Sequence, residues 1–141
     1  MTTTEFTWPI RVYYEDTDAG GVVYYANYLR YFERARTEWL NQMKIDQVDL
    51  LEQDVAFVVT KAEIDYLKPA RLNDELMIYS KIKNVRAASV EFEQELFMQN
   101  KNLDKPIMLN KANIKVACLR LKTFSPCRIP KTIKEEFLRV S

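Results

Sequence analysis

Histidine is absent from this chain of 141 residues. That excludes Ser-His-Asp hydrolysis, Cys-His nucleophile pairs and every histidine-based zinc site. Any chemistry must rest on carboxylates, tyrosines, lysines or the backbone, and no metal or cofactor is expected. Glycine is nearly as scarce: the chain holds two, and they are neighbours, Gly20 and Gly21. Ordinary usage is about 7%, so every other turn is made without it. The two cysteines, Cys118 and Cys127, form no CxxC and read as reduced, unpaired thiols of a cytoplasmic protein. No apolar run approaches the roughly 18 residues that cross a bilayer. The opening MTTTEFTWPI lacks a basic start, an apolar core and a small-residue cleavage site, so no signal peptide is expected. With 21 basic residues against 20 acidic ones, the net charge of +1 carries no electrostatic footprint for nucleic acid.

What is present describes one domain over 1–141, large enough to bury roughly two-thirds of its unfolded surface. FTWPIRVYYED alternates, with Phe6, Trp8, Ile10, Val12 and Tyr14 on one side, which predicts a strand with Pro9 near its start or on an edge. Tyr28, Tyr31, Phe32, Ala35, Trp39 and Met43 fall at helical spacing and predict a helix over 27–43 after one tighter turn, with a second short helix over 46–53. Four further alternating runs follow. The first sets Ala56, Val58, Thr60, Ala62, Ile64 and Tyr66 on one face, and the next sets Leu76, Ile78, Ser80 and Ile82. In the third, Val90, Phe92, Gln94, Leu96 and Met98 oppose Glu91, Glu93, Glu95 and Phe97; the fourth is built on Ile114, Val116 and Cys118. Asn73-Asp74 and Asn102-Leu103-Asp104 supply turn chemistry, and Pro130 begins a terminal helix. One long helix covers five strands only if the sheet curls around it. The expected class is therefore α+β, a curled five-stranded antiparallel sheet on one helix, with edges that invite a dimer or larger assembly.

The glycines fall where the first strand hands over to the helix. A helix start presents backbone N–H groups without internal partners and about half a positive charge. Adjacent glycines put no Cβ in the way of a ligand approaching them, and a developing oxyanion suits such a place. Asp18 lies just ahead, with Asp16 two residues earlier. On the residues alone, Asp18 can be a simple cap as readily as a catalyst. Tyr24 and Tyr25 stand next to the turn and are candidates to line a pocket; Arg86, in a turn between strands, reads by default as a surface charge.

RVYYEDTDAGGVVYYANYLRYFERARTEWL, with its D-x-D-x-x-G-x-V-x-Y-x-x-Y spacing, resembles the signature of the 4-hydroxybenzoyl-CoA thioesterase family of hotdog-fold enzymes. VAFVVTKAEIDYLKPARLNDEL and the terminal IPKTIKEEF extend the resemblance over nearly the whole chain, closest to the YbgC-type acyl-CoA thioesterases, the bacterial branch associated with the Tol-Pal envelope system. The resemblance implies hydrolysis of an acyl-CoA thioester to a carboxylic acid and CoA. It implies that Asp18 is the catalytic carboxylate, as nucleophile or as base for water. The backbone N–H near Tyr25 would polarise the thioester carbonyl, and Gly20 and Gly21 would let that carbonyl in. Arg86 would face the phosphates of coenzyme A, and Phe57, Tyr24 and a neighbouring subunit would line the acyl pocket. YbgC-type enzymes commonly carry histidine where this chain has Tyr25; the main-chain donor survives that exchange. The expected state is a homotetramer, a dimer of dimers, in the cytoplasm or peripheral to the inner membrane, with acyl carrier protein as a further partner. Two alternatives stand beside hydrolysis. A hotdog dehydratase, with its His-plus-carboxylate design, is disfavoured by the missing histidine; a non-catalytic module binding acyl-CoA or acyl carrier protein would share the fold and pocket.

Overall fold

The computed structural model describes residues 4–99 and 104–141. β1 (Phe6–Arg11) leads through a short 3-10 turn (Tyr14–Asp16) to α1 (Asn27–Gln42) and α2 (Gln47–Glu52). Four longer strands follow, β2 (Val55–Tyr66), β3 (Glu75–Val85), β4 (Ser89–Met98) and β5 (Ile107–Arg120), then the two-residue β6 (Ser125–Pro126) and α3 (Lys131–Val140). The sheet runs β1-β3-β4-β5-β2, antiparallel at every junction, with β6 added to β5. Both β1 and β2 are edges. Pro9, which has no N–H to give a ladder, sits opposite Met77 on the β1 edge, as its chemistry demands.

The helix occupies the hollow of the sheet. Tyr28, Tyr31, Phe32, Ala35, Trp39 and Leu40 turn inward from α1 onto Leu76, Ile78 and Ile82 of β3, Val90, Phe92 and Leu96 of β4, and Ile114 of β5. Phe6 of β1 stacks on Trp39 with ring centres 5.6 Å apart. The Asp46 carboxylate caps α2 by accepting the Val48 and Asp49 N–H groups. Pro130 stands at the N-cap of α3, whose Phe137 meets Phe57 edge-on at 6.0 Å. This is the hotdog arrangement, a curled sheet wrapped on one helix.

Three expectations are revised. The alternation read through Tyr14 stops at Arg11: the Tyr13 N–H donates to Asp16 Oδ2 at 2.8 Å, the chain turns, and Tyr14 is left 82% exposed. On β2 the single face of Ala56 through Tyr66 does not hold. The register slips between Val59 and Lys61, and a bulge of this kind shifts the residues beyond it relative to the partner strand. Before the slip Val55 and Phe57 pack on the core, beyond it Ile64 does, and Thr60 and Ala62 are exposed on the free edge. The short β6 was not expected, because two residues carry no periodicity. Asn73 takes the turn expected of it, at φ 69°, whereas most of the Asn102-Leu103-Asp104 turn lies outside the described residues.

Candidate active site

The glycines stand in a hairpin loop of their own, several residues before α1 rather than at its first turn. The loop is closed by the Asp18 N–H donating to the Val22 carbonyl at 2.9 Å and the Gly21 N–H donating to the Asp18 carbonyl at 3.0 Å. A Thr17–Val23 bridge closes its base, and a Val22–Arg71 bridge fastens it to the segment before β3. Gly21 has φ +77°, a conformation that side chains disfavour, and this explains a glycine there. Gly20 donates its N–H to Asp18 Oδ1 at 2.8 Å, and a Cβ on it would meet that oxygen at 3.3 Å. Both glycine N–H groups are thus engaged by Asp18. They are not open donors for a ligand.

The open donors come later. The Tyr24 N–H donates to the Asp16 carbonyl, and the Asn27 N–H to the Tyr24 carbonyl, but among the described residues the Tyr25 and Ala26 N–H groups have no acceptor. They lie immediately before α1, at the positive end of its dipole. Asp16 holds them there. Its buried carboxylate accepts the Tyr13 N–H on Oδ2 and the Asn27 side-chain amide on Oδ1, at 2.8 and 2.9 Å. Asp16 thereby fixes the geometry of the helix start, while the Asp18 side chain is exposed to solvent.

Beside Tyr25 a cleft of about 250 Å³ is lined by Val23, Tyr28, Tyr66 and the Leu67-Lys68-Pro69 turn. Tyr28 accepts the Ala70 N–H on its hydroxyl at 3.0 Å, and the Tyr66 hydroxyl donates to the Tyr25 carbonyl at 3.2 Å. Burial raises the Tyr28 pKa, and the Asp18 carboxylate is close enough to add to that rise. The Tyr24 ring rests on that of Tyr25, 4.8 Å between centres, and the neighbouring Tyr25 hydroxyl raises its pKa. Asp18, Tyr25 and Tyr24 therefore share one corner of the molecule. Sequence reading missed Tyr28, Tyr66 and the Leu67-Lys68-Pro69 turn as cleft walls; the tyrosines were absorbed into the helix stripe and the β2 alternation.

Phe57 and Arg86 are not brought to this corner within one chain. Phe57 lies nine residues before Tyr66 on β2, roughly 30 Å away at the rise of a strand. Arg86 turns the chain between β3 and β4 at the same far end, where its N–H donates to the Ser89 carbonyl at 2.8 Å.

Residues 12–137 match the family model of the thioesterase-like superfamily. The acyl-CoA thioesterase YbgC of Haemophilus influenzae is 50% identical over 133 residues, which are 94% of this chain and 93% of that protein. The acyl-CoA thioester hydrolase YbgC of Escherichia coli O6:H1 is 45% identical over 137 residues, covering 97% and 98%. Among solved structures, a 1,4-dihydroxy-2-naphthoyl-CoA thioesterase from Synechocystis superposes with a TM-score of 0.86 at 24% identity, over 95% of this chain and 96% of that one, a likeness of fold.

Proposed function

The chain belongs to the thioesterase-like superfamily, among its YbgC-type acyl-CoA thioesterases, and from that footing we propose how it hydrolyses an acyl-CoA to a carboxylic acid and CoA. Asp18 is the reactive carboxylate, and the Tyr25 N–H receives the thioester oxygen. The observation that carries this reading is the pair of unpartnered N–H groups at the start of α1, in the same corner as an exposed carboxylate and beside an apolar cleft. As the carbonyl carbon becomes tetrahedral, negative charge grows on its oxygen. A fixed donor at a helix start stabilises that charge by on the order of 3 kcal/mol. The CoA thiolate then leaves without a strong general acid. Gly20 holds Oδ1 of Asp18, which leaves Oδ2 to act. Either Oδ2 attacks the carbonyl and expels the thiolate, giving a mixed anhydride that water cleaves, or it takes a proton from the attacking water. Label in Asp18 after a single turnover in ¹⁸O-water would establish the attack, since label enters that carboxylate only through the anhydride.

The test is thiol release from short, long-chain and aromatic acyl-CoAs by the wild type and Asp18→Asn. Asparagine keeps the acceptor for the Gly20 N–H and loses the charge, so the variant should melt like the wild type while turnover falls at least ~10²-fold. Equal turnover by the two folded proteins would return Asp18 to the role of a loop cap.

The same reading includes a homo-oligomer, a tetramer built from dimers. Its support is the free β2 edge, exposed from Val59 to Glu63. A second copy paired antiparallel there would lay the Phe57 end of one strand beside the Tyr66 end of the other. Phe57 and Arg86 of one copy would then approach Asp18 of its partner and take their roles toward the acyl group and the CoA phosphates. A fully active monomer in sedimentation analysis would contradict this. Cytoplasmic placement, Tol-Pal association and use of acyl carrier protein thioesters follow from kinship alone and belong to the same proposal; among the described residues no helix is long and apolar enough to cross a membrane.

A further inference from the structure

Two thiols meet at the end of the sheet that carries Phe57 and Arg86. Cys118 lies on β5, and Cys127 lies on the segment that leaves β6. Leu119 pairs with Pro126 and Arg120 with Ser125, a register that sets Cys118 opposite Cys127. The Cys127 N–H donates to the Cys118 carbonyl at 2.9 Å and completes that pairing. The two sulfurs stand 3.4 Å apart, and both are free thiols.

A buried cysteine often serves only as a small apolar residue. That role needs neither a partner nor a register, yet here strand pairing joins the only two cysteines of the chain. Directly opposed residues of an antiparallel pair have Cα atoms about 4.5–5.5 Å apart, inside the range that a disulfide spans. The bond itself is about 2.05 Å long, so the sulfurs need to approach by roughly 1.4 Å. Their accessibility differs. Cys118 is fully buried, whereas Cys127 is partly exposed. Burial, with the neighbouring Cys127 thiol, pushes the Cys118 thiol up to about 12, so that it stays protonated. An oxidant in solution therefore meets Cys127 first, and Cys118 stands beside it as the resolving thiol.

We propose that Cys118 and Cys127 form a reversible oxidation site, closing to a disulfide when a peroxide reaches Cys127. The Cys127 thiolate attacks one oxygen of hydrogen peroxide; the O–O bond breaks, leaving a sulfenic acid on Cys127 and releasing hydroxide. The Cys118 sulfur then attacks the sulfenic sulfur. The S–O bond breaks, and the departing hydroxide takes the Cys118 proton and leaves as water. In all, two thiols and one hydrogen peroxide become one disulfide and two waters, with two electrons passing from sulfur to peroxide. A small dithiol reverses the change by exchange. The bond acts on the turn that carries Arg86: the Cys118 N–H donates to the Ala88 carbonyl and the Ile129 N–H to the Ala87 carbonyl, each at 2.8 Å. Closing the disulfide ties those two donor segments to each other and pins the turn between them. The pair lies away from Asp18, so the proposal does not depend on the role given to that residue.

The experiment treats the full chain with hydrogen peroxide in slight molar excess, then counts thiols in denaturant and weighs the intact chain. Both thiols should be lost, the mass should fall by about 2 Da, and dithiothreitol should restore both values. Cys118→Ala should instead hold a sulfenic acid on Cys127 that dimedone traps, and Cys127→Ala should keep its buried thiol under the same treatment. In hydrogen exchange the Cys118 and Ile129 amides of the wild type should open more slowly when oxidised than when reduced. Retention of both thiols, a gain of oxygen in place of the loss of two hydrogens, or a disulfide between chains would each overturn the oxidation site. Unchanged exchange of the two amides would overturn its hold on the Arg86 turn. Should Cys118→Ala not fold, the thiol count and mass of the wild type decide alone.

Discussion

The Asn27 side-chain amide donates to Asp16 Oδ1 at 2.9 Å, a buried bond from the first residue of the long helix to the segment that enters the glycine loop. Through it the loop and the helix start are set as one unit. The second oxygen of Asp16 holds the Tyr13 N–H, and its carbonyl holds the Tyr24 N–H. Of the two aspartates in the motif, one therefore builds the corner and the other keeps an exposed carboxylate.

Asp16→Ala should accordingly lose stability. It strands two buried or half-buried donors, at a cost of about 1–3 kcal/mol. The urea midpoint should fall, and any loss of activity should follow the loss of folded protein. An unchanged midpoint would mean that Asp16 does not hold this corner together.

Tyr25→Phe should retain activity to within about tenfold, because the useful group at this position is the main-chain N–H. Tyr25→His should also be tolerated, and its pH–rate profile should gain a titration near 6.5 from the new imidazole. The check is the pH–rate profile of all three proteins on one acyl-CoA. A loss in Tyr25→Phe as deep as that of Asp18→Asn would make the phenol catalytic and defeat the backbone reading.

Stability should fall as pH rises from 8 to 10. Burial pushes the Cys118 thiol up to about 12 from an ordinary 9.0, and burial raises the phenols of Tyr28, Tyr31 and Tyr66 above their ordinary 10.0. Above the ordinary values the unfolded chain gives up these protons while the folded chain keeps them, so alkali favours unfolding. The effect is absent below the unfolded values. Arg36 acts oppositely, but only beyond about 10, where the folded chain begins to release a proton that the unfolded chain keeps. Urea midpoints at pH 8, 9 and 10 should decline in order; a flat series would show that these groups titrate in the fold as they do in the open chain.

Much of the architecture was legible because local periodicity and tertiary burial agree. Leu76, Ile78, Ser80 and Ile82 alternate in the sequence and are buried in the sheet, and the aromatic stripe from Tyr28 to Trp39 faces the core as its spacing requires. The aspartate-glycine motif located the proposed site, since its residues are close in sequence and stay close in space. The helical spacing gives no sign that Arg36 is buried. Its burial depends on Gln94 and Phe92, which are more than fifty positions away.

By itself the sequence determined the helix, the strands, the missing histidine chemistry and the kinship, all of which are properties of short-range pattern and residue type. Only the tertiary structure decided the rest. It engaged both glycine N–H groups on Asp18, left those of Tyr25 and Ala26 open, gave Asp16 the task of fixing the helix start, and carried Phe57 and Arg86 to the far end of the sheet. Each of those outcomes is set by which distant backbone or side-chain group satisfies a given polar atom. A hydrogen bond across the fold leaves no periodic trace in the residues that make it.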